Sequence, residues 1–132
     1  MQLLANPRIL CVDDNRDACE LLKFMLSFDY PHYQVSTICS AKESLILLAS
    51  ESFDLYILDF ALPEISGVEL CRKIRQTHSQ TPILFFSAMA GEQDKKEAME
   101  AGATKYLTKP DDLEILSETI AGLLKESLEY SQ

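Results

Sequence analysis

The sequence predicts an α/β protein: a parallel five-stranded sheet covered by helices on both faces, as a doubly wound three-layer sandwich. Three observations carry that expectation. Five short apolar runs of strand length alternate strictly with five longer segments of helical period, the order that builds βαβ units. Runs such as Ile83-Leu84-Phe85-Phe86 are apolar throughout rather than alternating, as befits strands buried on both sides. Finally, 132 residues with 47% hydrophobic and 25% charged side chains fit one compact domain and argue against intrinsic disorder.

The first run, residues 8–12, stops abruptly at Asp13-Asp14-Asn15. Ala18, Leu21, Leu22, Met25 and Leu26 then recur at helical spacing, so 16–28 is expected to be an amphipathic helix with these side chains inward. Pro31 punctuates the chain, and 33–38 is rich in β-formers. Ser40 can cap a second helix whose Ala41, Leu45, Leu48 and Ala49 share one face. Leu55-Tyr56-Ile57-Leu58 is the third strand and ends at Asp59. Pro63 and Gly67 mark a loop, and Val68, Cys71 and Ile74 a helix reaching about residue 76.

Thr81-Pro82 opens the fourth run, 83–86, which stops at Ser87. A charge-rich helix is expected over 92–101 with Gly102 as its stop signal. Lys105-Tyr106-Leu107 is the fifth strand. Beyond Lys109-Pro110, the residues Leu113, Leu116, Ile120, Leu123, Leu124 and Leu128 form the clearest helical stripe, read as an unbroken helix over 113–130. No repeat, low-complexity segment or linker divides the chain, so 1–132 is read as one domain.

Twelve basic side chains stand against 21 acidic ones, a net charge of −9. A surface that acidic repels phosphate backbones and anionic lipid, so nucleic acid and membrane are not expected partners of this chain alone. No apolar run approaches the roughly 18 residues of a membrane span, and residues 1–7 are too short and polar for a signal peptide. Cys11, Cys19, Cys39 and Cys71 form no C-x-x-C pair. They are read as buried or half-buried free thiols in a reducing compartment, which implies a cytoplasmic location.

The functional signal is positional. Asp13 and Asp14 follow the first strand, Asp59 the third, Ser87 the fourth, and Lys109 lies just past the fifth. Ligands of open parallel sheets bind outside the carboxyl ends of the strands, where strand order reverses. These residues are therefore expected to converge on one pocket. Clustered carboxylates repel unless a cation or proton compensates, and Mg²⁺ is the hard cation suited to carboxylates, waters and a phosphate oxygen. With the charge offset, one carboxylate can attack phosphorus while Ser87 and Lys109 supply donors and positive charge to the transferring group.

At this point the chain resembles a known family. Ile-Leu-Cys-Val-Asp-Asp-Asn (9–15), Asp59 with Leu62-Pro63 and Gly67, Thr81-Pro82-Ile83 leading to Ser87-Ala88, Ala101-Gly102-Ala103, and Tyr106-Leu107 with Lys109-Pro110 are similar to the motifs of the receiver domain of two-component response regulators. The likeness covers about 8–127. It implies a flavodoxin-like (βα)5 fold with strand order 2-1-3-4-5. It implies that Asp59 is the phosphoacceptor and that Asp13, Asp14, Asp59 and the main-chain carbonyl of Ala61 hold Mg²⁺, with Mn²⁺ able to substitute. Lys109 would contact the phosphoryl group, Lys109-Pro110 would be cis, and Ser87 and Tyr106 would form a switch pair. A sensor histidine kinase or a histidine phosphotransfer protein would donate the phosphoryl group. A downstream protein target, which the sequence does not identify, would read the face made by the fourth helix, fifth strand and fifth helix. Apolar Ala61 and Met89 stand where relatives tune hydrolysis, which implies unexceptional to slow self-dephosphorylation.

Simpler readings compete at each position. Asp13-Asp14-Asn15 taken alone would cap the first helix, Ser87 could cap a helix as well, and Tyr106 could be a plain sheet residue. His32 and His78 fall in predicted loops and receive no catalytic role, and Lys95-Lys96 reads as a solvated helix face. Two other functions compete with this one. A phosphatase with an aspartyl-phosphate intermediate needs a second acid two residues after the nucleophile, where this chain has Ala61. A flavin carrier needs a phosphate loop that Asp13-Asp14 would repel. Both a complete single-domain regulator and the receiver of a larger hybrid kinase or regulator fit the sequence.

Overall fold

The computed structural model describes residues 6–130, and side chains through residue 127. The elements are β1 (Arg8–Val12), α1 (Arg16–Asp29), β2 (Gln34–Ile38), α2 (Ala41–Leu48), β3 (Leu55–Leu58), α3 (Gly67–Thr77), β4 (Ile83–Ser87), α4 (Glu92–Ala101), β5 (Lys105–Thr108) and α5 (Leu116–Tyr130). All strand pairs are parallel, in the order β2-β1-β3-β4-β5. The expected doubly wound sheet and its strand order are both observed.

Successive side chains of a strand face opposite sides, and the core divides accordingly. Ile9, Cys11, Leu55, Ile57, Leu84 and Phe86 point to the face covered by Leu22 and Leu26 of α1 and by Leu116, Ile120 and Leu124 of α5. Leu10, Val12, Tyr56, Leu58, Ile83 and Phe85 point to the face covered by α2, α3 and α4 through residues such as Ala41, Val68, Leu70, Ile74 and Ala98. Both faces of β3 and β4 are therefore dry, which is why those strands are uninterrupted apolar runs.

Local chemistry sets the helix ends. Asn15, Ser40 and Ser66 each accept a hydrogen bond from the backbone N–H three residues on, as N-caps do. Gly102 ends α4 with φ at 114°, a left-handed conformation, and a Cβ there would also lie 2.7 Å from Arg75 Cγ. Arg75 holds that junction, its guanidinium donating to the carbonyls of Gly102, His78 and Thr81.

Several expectations need correction. Leu21 is 51% exposed rather than inward, because it lies at the edge between α1 and the start of the last helix and lines a cavity there. Ala49 is an exposed C-cap, and Ser44 takes the buried place, its hydroxyl donating to the Ala41 carbonyl. The last helix is not continuous from Leu113: a single 3₁₀ turn, Leu113–Ile115, precedes α5. That turn follows a tight loop in which Asp112 accepts from the Thr108 N–H and Leu113 donates to the Pro110 carbonyl. The side chain of Leu128 and residues 1–5 lie outside the described residues.

Candidate functional site

The sheet itself assembles the site. Val12 pairs with Leu58, and Leu58 with Phe85. One residue further on, the Asp59 N–H donates to the Val12 carbonyl and the Asp13 N–H to the Ile38 carbonyl. Ser87 pairs with Thr108, and the Lys109 N–H donates to the Ser87 carbonyl. Asp13, Asp59 and Lys109 are thus each the first position past a strand whose register is locked by its neighbours, whereas Ser87, expected just past the fourth strand, is the last residue of β4 because it still pairs with Thr108. Asp13 and Asp59 flank the point where strand order reverses, the usual place for a ligand in an open α/β sheet.

Ligand oxygens of Asp13, Asp14 and Asp59 all lie within 4.8 Å of one another. Asp13 is buried, Asp59 half-buried and Asp14 exposed, so the cluster opens to solvent on one side. Three carboxylates at that spacing fit a hard divalent cation that keeps some of its waters. The N-cap of α1 is Asn15, whose side chain accepts from the Ala18 N–H at 3.0 Å. The capping role is therefore filled by Asn15, and both aspartates are left to face the cluster.

Asp13 is held on all sides. Its Oδ1 accepts from the Asn15 N–H at 2.9 Å, its Oδ2 from Lys109 Nζ at 2.5 Å, and its carbonyl from the Cys19 thiol at 3.3 Å. Lys109 Nζ also sits 5.5 Å above the centre of the Phe86 ring. Burial opposes the Lys109 charge, but the Asp13 hydrogen bond and the charges of Asp13 and Asp59 outweigh it, and its pKa is raised. For Asp59, burial raises the pKa and the Asp13 charge adds to the rise, while the Ser87 hydroxyl and Lys109 work against it. Asp59 is thus short of compensating positive charge. Beside it, a cavity of about 150 Å³ is lined by Asp13, Asp59, Lys109, Leu21, Phe86 and Leu113.

Ser87 is buried, and its hydroxyl accepts from the Met89 N–H at 3.2 Å. It does not cap α4, which starts only at Glu92, with the Asp94 carboxylate accepting from the Gly91 N–H. Tyr106 is half-buried and stacks flat on Phe85, with centroids 5.6 Å apart and planes at 2°. Its hydroxyl donates to the Met89 carbonyl. Ser87 and Tyr106 therefore grip opposite groups of one residue in the β4–α4 loop. Ala61 is exposed in the β3–α3 loop, and Lys109-Pro110 is cis.

Two contributors were not legible as such in the sequence. A Cβ on Gly67 would lie 2.0 Å from the Asp59 carbonyl oxygen, and the Gly67 N–H donates to the Phe60 carbonyl at 2.8 Å. Gly67 reads in the sequence as loop punctuation, whereas its role is to let α3 start directly against the backbone of Asp59. The Cys19 thiol on the Asp13 carbonyl had no sequence signal beyond its place on the inner face of a helix.

Comparison with known proteins agrees with this geometry. The family model for the response regulator receiver domain matches residues 9–121. The response regulator MprA of Mycolicibacterium vanbaalenii is 38% identical over 120 residues, covering 91% of this chain and 51% of that protein. The response regulator ArlR of Staphylococcus aureus is 37% identical over 118 residues, covering 89% and 52%. The chain thus spans about half the length of the curated relatives it matches. Among solved structures, a CheY-like receiver domain protein from Methanospirillum hungatei superposes with a TM-score of 0.87 at 29% identity, covering 98% of this chain and 99% of that one. The response regulator TrrA of Thermotoga maritima, solved in complex with Mg²⁺-BeF, has a TM-score of 0.78 at 31% identity, covering 89% and 98%. With strand order, acidic cluster and family match in agreement, the chain belongs to the response regulator receiver domain family.

Proposed function

We propose that this chain is a phosphoacceptor, taking a phosphoryl group onto Asp59 from a sensor histidine kinase or a histidine phosphotransfer protein. One observation carries the reading: three carboxylates from two strand ends meet within 4.8 Å, with Lys109 bonded to one of them. The carboxylates of Asp13, Asp14 and Asp59 and the Ala61 carbonyl would hold Mg²⁺, with Mn²⁺ as the substitute. When bound, the ion offsets the negative charge that carboxylates and phosphoryl oxygens bring together.

The protein groups divide the remaining work. An Asp59 carboxylate oxygen attacks phosphorus as the bond between phosphorus and the donor nitrogen breaks. Lys109, already fixed beside Asp13, places its ammonium where a phosphoryl oxygen would develop charge. Ser87 turns its hydroxyl from the Met89 N–H to a phosphoryl oxygen, which frees the β4–α4 loop. Tyr106 bonds the same Met89, so it is positioned to follow that loop. We place the surface read by the downstream protein on α4, β5 and α5.

The chain itself supplies no histidine at the site and does not act as a metabolic enzyme in this reading. Residues 1–132 form a single receiver domain with its core over about 8–127. It is cytoplasmic and does not bind nucleic acid on its own. No helix among the described residues is long and apolar enough to cross a membrane. That its curated relatives are about twice as long favours a second arrangement, in which this receiver is one part of a larger regulator.

The test is incubation of the chain and of Asp59→Asn with a small acyl-phosphate donor and Mg²⁺, followed by assay for base-labile protein-bound phosphate. Labelling of the parent alone is the expected result. Equal labelling of the variant, or none of either, refutes the reading.

A further inference from the structure

Three of the four cysteines gather at one place that phosphoacceptor chemistry does not use. Cys19 neighbours both Cys11 and Cys39, and its thiol donates to the Asp13 carbonyl at 3.3 Å. Cys11 is sealed in the core beneath it. Cys19 and Cys39 instead share the wall of one open cavity, with Arg16, Thr37, Ile38 and Glu43. Cys39 is half-buried at that wall, while Cys19 is 1% exposed behind it. Cys71 is on the other face of the sheet, its thiol on the Ala101 carbonyl.

The position of this pair ties it to the backbone of Asp13. The backbone of Asp13 has two anchors: its N–H donates to the Ile38 carbonyl, and its carbonyl accepts from the Cys19 thiol. Cys19 is one anchor and Cys39 follows the other directly in sequence. A covalent change at these sulfurs therefore acts on the residue that holds Lys109 and borders the acidic cluster.

We infer that Cys19 and Cys39 form a reversible disulfide under peroxide, and that the crosslink slows phosphoryl uptake by displacing the backbone of Asp13. The second half of this rests on the phosphoacceptor reading; the first does not. In the first step the Cys39 sulfur attacks one peroxide oxygen. An S–O bond forms, the O–O bond breaks, and water leaves with the thiol proton, giving a sulfenic acid. In the second step the Cys19 sulfur attacks the Cys39 sulfur. The S–S bond forms, the S–O bond breaks, and a second water carries off the Cys19 proton. Two thiols lose two electrons and one peroxide becomes two waters. A small dithiol reverses the change by exchange. Burial holds the Cys39 thiol above its ordinary pKa, and Arg16 opposes this only in part.

Once oxidised, Cys19 has no S–H to donate, and its sulfur is drawn toward the β2–α2 junction. Loss of a group that orients a metal ligand costs roughly tenfold or more in affinity or activity, and that is the scale expected here.

Trypsin cuts after Arg16, Lys23 and Lys42 and so places Cys11, Cys19 and Cys39 on three separate peptides. The whole chain is exposed to hydrogen peroxide, alkylated, digested and weighed, and assayed in parallel for phosphate uptake and for stabilisation by Mg²⁺. Expected is a Cys19–Cys39 linked peptide about 2 Da below the sum of its parts, with Cys71 still alkylated. Uptake falls roughly tenfold, recovers with dithiothreitol, and is insensitive to peroxide in Cys39→Ser, which behaves as the parent when reduced. Intact thiols, a Cys11 link or a link between two copies overturns the crosslink. A link that changes neither uptake nor Mg²⁺ stabilisation overturns the coupling. If the reduced protein takes up no phosphate, the phosphoacceptor reading has failed, while the peptide map and Mg²⁺ titration still decide this one.

Discussion

Lys109 Nζ and Asp13 Oδ2 form an ion pair at 2.5 Å between residues 96 apart in the chain, with side chains 24% and 7% exposed. The pair places a cation in the acidic cluster before any metal or phosphoryl group arrives. Lys109→Ala should therefore strengthen Mg²⁺ binding, because a competing positive charge is gone. It should nevertheless cut phosphoryl uptake by roughly 100-fold, the usual cost of deleting an electrostatic donor at a reacting group. Mg²⁺ titration followed by melting temperature, alongside uptake kinetics, checks both arms. Unchanged uptake would contradict the role given to Lys109.

Asp59→Asn should melt higher than the parent near neutral pH in the presence of a chelator. Burial, then the charge of Asp13, holds the Asp59 pKa above its ordinary value despite Ser87 and Lys109. A raised folded-state pKa means the folded chain keeps this proton better than the unfolded chain. That advantage is present below the ordinary carboxylate range and is lost as pH rises through the folded value. The ionised group thus weighs against folding at neutral pH, and the gap between variant and parent should close below about pH 4. Mg²⁺ should reverse the order by stabilising the parent, by about 2.7 kcal/mol at 100 times its Kd.

Gly67→Ala should destabilise the fold by about 1 to 3 kcal/mol, as an atom forced into a packed interior does. The new Cβ meets the Asp59 carbonyl oxygen at 2.0 Å, so backbone must move. Because that backbone carries the acceptor, uptake should fall even where urea melts show the protein folded. A variant with parental uptake would separate the α3 start from the site.

Tyr106→Phe removes only the hydroxyl bonded to the Met89 carbonyl and keeps the stack on Phe85. Stability should drop by about 1 kcal/mol. Amide hydrogen exchange at Met89 and its loop neighbours should quicken, while uptake at Asp59 stays near parental. Unchanged exchange in the loop would show that Tyr106 does not restrain it.

Much of this was legible in the chain. Apolar runs ending in Asp13, Asp59 and Ser87 expose both the strands and their polar ends, because burial on two faces demands unbroken hydrophobicity and the strand ends do not. Helix ends were legible where a side chain caps its own backbone, as at Ser40, since that chemistry is local. Leu21 departs from its periodic stripe because helical period names a stripe but not the neighbour it meets. α5 starts later than its helical pattern because a loop bond from Thr108 to Asp112 outweighs that local pattern.

By itself, then, the sequence determined the fold class and the residues of the acidic site, since strand period and polar strand ends are written in consecutive residues. The tertiary structure alone decided what those residues touch. The Lys109–Asp13 pair, the approach of Gly67 to Asp59, the Met89 loop held by Ser87 and Tyr106, and the thiols gathered at Asp13 are all contacts through space. Register between strands and the docking of helices on them set such distances, and neither is encoded in any single stretch of the chain.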